Sequence, residues 1–303
     1  MSAGAPLLGG FALDLIAADP ERWHPVAGFG ALAAAAERTS YAPSRARGAA
    51  VTTALVTGAA LTGELLARGV RRDVAMVALT WAALGGASLR REAARVSELA
   101  AKDDLPAARG ALRALCGRDA AELDEAGLAR AIVESLAENT SDAVIGGLLW
   151  GALAGPAGIA GYRAANTLDA MFGHRDERYR QFGWAAARLD DVVNWPVARL
   201  SAALTAVLAP LVGGSPRATV TAIRRDSSAH PSPNAGVAEA AFAGALGLRL
   251  GGPLTYAGVV EHRPLLGDGR APSLSDVPRA ARLSLAVGLA GAALCAALRE
   301  GLR

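Results

Sequence analysis

Residues 49–66, 74–89, 143–161, 197–213 and 281–298 are runs of Ala, Leu, Val, Gly and Thr almost without charge. A bilayer crossing takes about 20 apolar residues, so four of the runs are near that length and 74–89 is short, suited to little tilt or a thin patch. Run 143–161 is interrupted by Gly155-Pro156, and small residues recur in all five, as where membrane helices approach backbone to backbone. Ala-rich runs also line large soluble bundles. A chain that is 52% hydrophobic with only 5% aromatics, and a mean hydropathy of +0.27, favours the bilayer instead. No stretch alternates at the two-residue period of a strand. The expected fold is all-α: a multi-pass integral membrane helical bundle, one membrane-embedded domain over 1–303. It carries a polar helical insertion at 90–130, read as two water-exposed helices with a break at Gly117-Arg118-Asp119, and a Gly/Pro-rich loop region at 214–279.

Composition excludes several functions. The net charge is only +3 and the arginines are scattered, without an aromatic-studded basic stripe, so nucleic acid is not an expected partner. Lys102 is the only lysine, which rules out a P-loop Gly-Lys-Ser/Thr and leaves little scope for Schiff-base chemistry. Cys116 and Cys295 stand far apart in helical contexts and read as small buried residues. The first residues carry Asp14 and Asp19 without a basic start, unlike a signal peptide.

The polar residues recur at helical spacing. Glu134, Glu138 and Asp142 are four apart and would line one face of one helix that runs straight into an apolar segment. On a surface helix water would neutralise such a stripe; beside an apolar run a metal ion or cationic partner is favoured. Asn139 and Ser135 lie on an adjoining face. Asn166 with Asp169, and Asp190-Asp191 with Asn194, form further helical pairs on either side of a turn at 173–176, making a helical hairpin. Carboxylates with amides are hard oxygen donors suited to Mg²⁺, which takes one or two carboxylates plus phosphate oxygens. Arg175, Arg178, Arg180, Arg188 and Arg225 are candidate phosphate forks. Arg188, three residues before Asp191, and Arg225 are favoured; Arg175 and Arg180 equally suit helix ends at lipid head groups. In His230-Pro231-Ser232-Pro233-Asn234 two prolines stiffen a polar loop, and His24 sits in a second such loop. If all five runs crossed fully, loop 90–142 and hairpin 162–196 would emerge on opposite sides, so either run 143–161 re-enters or the polar faces meet inside the bundle.

E-N-T-S-D at 138–142, N-T-L-D-A-M at 166–171, A-R-L-D-D-V-V-N at 187–194, R-D-x-x-x-H-P-S-P-N at 225–234 and A-G-A-L-G-x-x-L-G-G-P at 243–253 resemble the CobD/CbiB family, the adenosylcobinamide-phosphate synthases of cobalamin biosynthesis. The order and spacing match from Asp14 through L-L-G-D at 265–268. Ala27, Ala143, Ala170 and His174 stand where the family usually has Arg, Gly, Ser and Tyr, and Ala27 removes a possible phosphate contact beside His24. The resemblance implies a membrane enzyme that condenses adenosylcobyric acid with (R)-1-amino-2-propanol or its O-phosphate, using ATP and Mg²⁺, in the cell membrane with its active site toward the cytoplasm. On that reading Glu138, Asp142, Asp169, Asp190 and Asp191 would coordinate Mg²⁺. Asp190, Asp191, His230 and Glu138 would serve catalysis; Arg188 and Arg225 would hold phosphate; Asn139, Asn166, Asn194 and Asn234 would position substrate. Partners would be these small molecules and the lipid bilayer, with homo-oligomerisation left open. The rivals are a Mg²⁺-dependent membrane prenyltransferase and an ion-coupled transporter, neither of which forms an amide.

Overall fold

A computed structural model describes residues 2–19, 24–174, 176–256 and 259–302. The chain is helical almost throughout, as its apolar runs require. Helices α1 (Ala5–Ala17), α2 (Pro25–Ser40), α3 (Arg45–Gly69) and α4 (Arg72–Ala83) come first, then α5 (Gly86–Ala101) and α6 (Leu105–Leu112). Next are α7 (Glu125–Thr140), a π-helical turn (Ser141–Ile145), α8 (Gly146–Phe172), the short α9 (Tyr179–Phe182) and α10 (Trp184–Leu208). The chain ends with α11 (Pro216–Asp226), α12 (Ala235–Leu246), strands β1 (Leu250–Tyr256) and β2 (Val259–Leu266), and α13 (Val277–Gly301).

Local chemistry sets the boundaries. Ser44, Asp104, Asp124 and Ser215 accept a bond from the backbone N–H three residues on, each closing the start of a helix. Pro25 occupies a first-turn position where its missing N–H costs nothing, and the His24 imidazole caps the same turn by accepting from the Val26 N–H. Gly155 breaks α8 with φ of +63°, a left-handed backbone that a side chain resists, and Pro156 restarts the helix.

Among the described residues, four helical segments are long and apolar enough to cross a membrane: Arg45–Gly69, Glu125–Phe172, Trp184–Val212 and Leu274–Gly301. The run expected at 74–89 does not join them. Leu84-Gly85 interrupts it with extended backbone at Leu84, leaving α4 only 12 residues, about 18 Å long at the helical rise. Only 11% of the apolar window in Arg45–Gly69 is buried. Leu61, Leu65 and Leu66 point outward, as a lipid-facing helix requires. In the polar insertion the expected break at Gly117 falls within the irregular stretch 113–124, and a further short break at 102–104 separates α5 from α6.

One local expectation is corrected. Leu250–Tyr256 and Val259–Leu266 pair as antiparallel strands in which Gly252 faces Arg263, with a bulge between Leu250 and Gly252. The L-G-G-P motif reads as a loop because glycine and proline are poor strand residues. Here Gly251 and Gly252 supply the positive φ of the bulge, and the Arg130 guanidinium donates to the Gly251 and Pro253 carbonyls at 2.7 and 2.8 Å.

The chain forms two compact units. The first comprises residues 1–85, 142–197 and 291–303; the second comprises 86–141 and 198–290. In the first, α3 packs along α8, α1 along α4, and Leu168, Phe172, Phe182 and Ala186 make a small aromatic core. In the second, α12 packs between α11 and α7, with α5 and α6 forming a hairpin against α7.

Candidate active-site groups in each unit

In the first unit the hairpin of α8 and α10 brings together residues far apart in sequence. Asp190, 9% exposed, accepts both amide hydrogens' worth of contact from the Asn194 Nδ2, at 2.9 Å to each carboxylate oxygen. The four-residue spacing dictates this pair. Asn166 Nδ2 on α8 reaches Asp190 Oδ1 at 3.3 Å and Asp142 Oδ2 at 3.4 Å, so one amide joins two carboxylates. Tyr162 Oη lies 2.7 Å from Asn194 Oδ1 and 2.9 Å from the Asp142 carbonyl oxygen, two acceptors that share its one proton. Gly146 leaves room for this phenol, since a Cβ there would fall inside the ring.

Asp142 owes its position to the π-turn Ser141–Ile145. Wider turns of this kind recur at functional sites because they re-aim a side chain. The turn also breaks the 3.6-residue register on which the expected Glu134–Glu138–Asp142 stripe depended. Glu138 is exposed and belongs to the second unit, whereas Asp142 belongs to the first.

Other expected ligands lie elsewhere. The Asp169 carboxylate rests against Gly173 at the end of α8 and is not among the groups that Asn166 joins. Asp191 points away from its neighbour, as consecutive helical residues must, and pairs with exposed Arg188 at 3.0 Å. Arg175 lies outside the described residues. Two groups absent from the expected set belong here. Arg163 donates to Asn166 Oδ1 at 3.2 Å, and the Asp19 carboxylate pairs with His24 Nε2 at 3.3 Å. The signal for Arg163 was available, three residues before Asn166.

Among the described residues, no group of three or more His, Cys, Asp and Glu is gathered so as to hold a metal ion. Mg²⁺ usually keeps waters and substrate phosphate oxygens and takes only one or two protein carboxylates. Asp142 and Asp190, joined through one amide, fit that mode and do not fit an all-protein cage.

The second unit is wired differently. Glu134, 3% exposed, accepts from Arg118 Nη1 at 2.6 Å and from the Gly251 N–H at 2.8 Å. Asn139 turns back on its own helix, donating to the Ser135 carbonyl and hydroxyl oxygens. Arg225 is engaged by Asp226 at 2.6 Å and Asp268 at 2.9 Å, and Asp226 also accepts the Gly267 N–H, so this arginine fastens α11 to the end of β2. Those bonds, the Arg225 one foremost, hold the Asp226 carboxyl below its ordinary range.

The H-P-S-P-N loop presents its polar groups inward. Arg263 Nη1 lies 2.9 Å from His230 Nε2, and Arg199 Nη1 donates to Asn234 Oδ1 at 2.7 Å. Ser232 Oγ accepts from the Asn234 and Ala235 N–H groups and so starts α12. Burial keeps the His230 imidazole below its usual pKa. Glu239, one helical position set beyond the loop, stands 3.9 Å from His230 Nε2; burial first, then the Glu134 and Glu138 carboxylates, raise its pKa well above a normal glutamate.

A family model described as CobD/Cbib protein matches residues 7–284. The chain belongs to the CobD/CbiB family. It is 52% identical over 295 residues to the cobalamin biosynthesis protein CobD of Mycobacterium tuberculosis, covering 96% of this chain and 94% of that one. The CobD of Chromobacterium violaceum is 44% identical over 281 residues, covering 89% and 88% of the two chains. That of Geobacter metallireducens is 41% identical over 281 residues, again 89% and 88%. No solved structure matches the chain. The CobD/CbiB membership places this chain in cobalamin biosynthesis, and its predominantly helical build, with four span-length helices among the described residues, is that of a membrane bundle.

Proposed function

We propose that the chain is an acid–amine ligase, joining the carboxyl group of adenosylcobyric acid to the amine of (R)-1-amino-2-propanol, or of its O-phosphate, at the expense of ATP. The product is adenosylcobinamide or its phosphate. The observation that carries the reading is the Asp142–Asn166–Asp190 group: two carboxylates joined by one amide, in a chain matched over 96% of its length by a CobD relative.

An amide does not form from a carboxylate until an oxygen of that carboxylate is made a leaving group. ATP does so by transferring either its γ-phosphoryl group, releasing ADP, or its adenylyl group, releasing pyrophosphate. The amine nitrogen then attacks the activated carbonyl, phosphate or AMP departs with the oxygen, and the nitrogen loses a proton. Mg²⁺, when bound, supplies charge neutralisation of the nucleotide phosphates, and Asp142 and Asp190 would hold it. Asn194 and Tyr162 keep the Asp190 carboxylate oriented, and Asn166 sets its spacing from Asp142. Such pre-set electrostatics and positioning supply most of the rate in phosphoryl and acyl transfer. Helices Arg45–Gly69, Glu125–Phe172, Trp184–Val212 and Leu274–Gly301 would cross the cell membrane, with the reacting groups open to the cytoplasm, where ATP is found.

The test is ATP- and Mg²⁺-dependent amide formation by the full chain in membranes, with Asp190→Asn and Asp142→Asn alongside. Each variant should lose about 100-fold in turnover, as when one electrostatic group is removed from a reaction centre. Near-normal turnover in both removes the metal assignment. Product without ATP, or none from the unaltered chain, removes the reaction.

A further inference from the structure

The segment that carries Asp142 and Asn166 doubles back on itself. A Cβ on Gly146 would fall inside the Tyr162 ring, and one on Gly158 would collide with the Trp150 carbonyl oxygen, although the partners are sixteen and eight residues apart. A straight helix would hold residues eight apart about 12 Å from one another. The chain reverses at Gly155, so 146–154 and 156–172 run side by side. Asp142, before the first arm, therefore comes beside Arg163 and Asn166 in the second. Gly85 closes the same corner. Its N–H donates to the Ala143 carbonyl oxygen at 3.2 Å, and a Cβ there would stand 3.5 Å from Asp19 Oδ2. The charges of Asp19 and Asp142 both act on the Arg163 guanidinium.

The Asn166 amide fits this corner in one orientation. A guanidinium can only donate, so the Asn166 atom that Arg163 Nη1 reaches at 3.2 Å is the accepting Oδ1. Nδ2 then faces Asp190 Oδ1 and Asp142 Oδ2, at 3.3 and 3.4 Å, with an N–H for each. Turned over, the amide would set its oxygen against two carboxylates and its NH₂ against a guanidinium. Asn166 brings dipoles but no net charge, and acidic groups are costly in a segment apolar enough to cross a membrane. Arg163 brings the opposite sign. Arg130, by contrast, ends on backbone carbonyls and pins a strand, whereas the bond of Arg163 ends on the side chain that links the two carboxylates.

We infer that Arg163 is a positioning residue for the Asp142–Asn166–Asp190 group: it fixes the Asn166 amide with Nδ2 toward both carboxylates, and it offsets the charge of Asp142 until a divalent cation arrives. This role rests on the proposed reading of Asp142 and Asp190 as the Mg²⁺ carboxylates. A bound ion then shares its negative partners with a fixed cation.

Mn²⁺ titrated into the purified full chain in detergent, with the free ion followed by its paramagnetic resonance signal, tests the role apart from turnover. Arg163→Gln keeps a donor for Asn166 Oδ1 and removes the charge. It should bind Mn²⁺ about three- to tenfold more tightly at low ionic strength, a gain that shrinks with added salt. A loosened fold would weaken binding instead. Combined with Asp142→Asn the gain should largely vanish, because the charge being offset is gone. In amide formation, Arg163→Met, with neither donor nor charge, should lose at least about tenfold in turnover, the scale of one charge-assisted hydrogen bond, and Arg163→Lys should restore part of that loss. Mn²⁺ affinity unchanged or weakened in Arg163→Gln, or a lysine variant no better than the methionine one, overturns the role. Should the neutral variants not fold, the double variant Arg163→Gln/Asp142→Asn decides. Removing one charge of each sign should restore folding, and continued failure assigns Arg163 to packing alone. Binding lost in Asp190→Asn yet indifferent to Arg163 refutes the role and leaves the metal assignment standing. Binding absent from the unaltered chain, or unchanged in both Asp142→Asn and Asp190→Asn, refutes the metal assignment and the role with it.

Discussion

The two units bury acidic groups by opposite means. In the second, Glu134 meets Arg118 at 2.6 Å with both side chains nearly sealed from solvent, and a backbone N–H completes the shell. In the first, Asp190 is equally enclosed, yet the hydrogen bonds it accepts come from two side-chain amides. A carboxylate cancelled by a guanidinium has little further demand for a cation and acts as a fastening. One held only by dipoles keeps its orientation and retains its attraction for a divalent ion or a cationic group.

Breaking the fastening should have the largest effect on folding. Arg118→Met and Glu134→Leu should each cost about 3–5 kcal/mol, because either removes the counter-charge closest to a buried ion, while the double variant should recover much of that loss. Thermal unfolding in detergent reads this, and additive single losses would show that the pair does not act as a unit. The Asp190 group should behave conversely. Asp190→Asn should change stability by less than about 1 kcal/mol, since it removes a costly buried charge at constant shape, while turnover falls about 100-fold, or about 2.7 kcal/mol. Equal damage to stability and activity would erase the contrast between the units.

Gly146→Ala sharpens the comparison by displacing the Tyr162 ring that supports Asn194, and should cost about 1–3 kcal/mol as an overpacked site does. A smaller effect attends pH. Because burial depresses the His230 pKa, stability from its neutral form is complete above the ordinary imidazole range near 6.5 and is lost as pH falls through the lower folded value. Unfolding midpoints should therefore decline more steeply below about pH 6 in the unaltered chain than in His230→Gln; parallel curves would show that His230 does not titrate on unfolding. Arg188→Ala, which opens an exposed pair, should shift stability by less than about 0.5 kcal/mol.

The helical class, the break at Gly155-Pro156 and the Asp190–Asn194 pair were legible in the sequence, because each depends on residues within one or two turns of one another. So was the stiffness of the H-P-S-P-N loop, since proline restricts its own φ wherever it stands. The pairing of Leu250–Tyr256 with Val259–Leu266 was not, because its glycines serve a bulge whose pinning arginine, Arg130, is distant in the chain. Nor was the shortness of α4, where Leu84-Gly85 ends a helix inside an unbroken apolar run.

Spacing of three and four settled which side chains share a helical face only where the helix stays regular, as for Asp190 and Asn194, and never which faces meet. That Asn166 would join Asp142 to Asp190, each 24 residues away, while Asp169 and Asp191 turned elsewhere, was decided only by how α8 and α10 pack and by the π-turn before them. Charge pairing was settled at the same level. Whether an arginine meets a carboxylate, as Arg118 does, or backbone carbonyls, as Arg130 does, depends on a partner chosen across the fold, and sequence proximity carries no information about that choice.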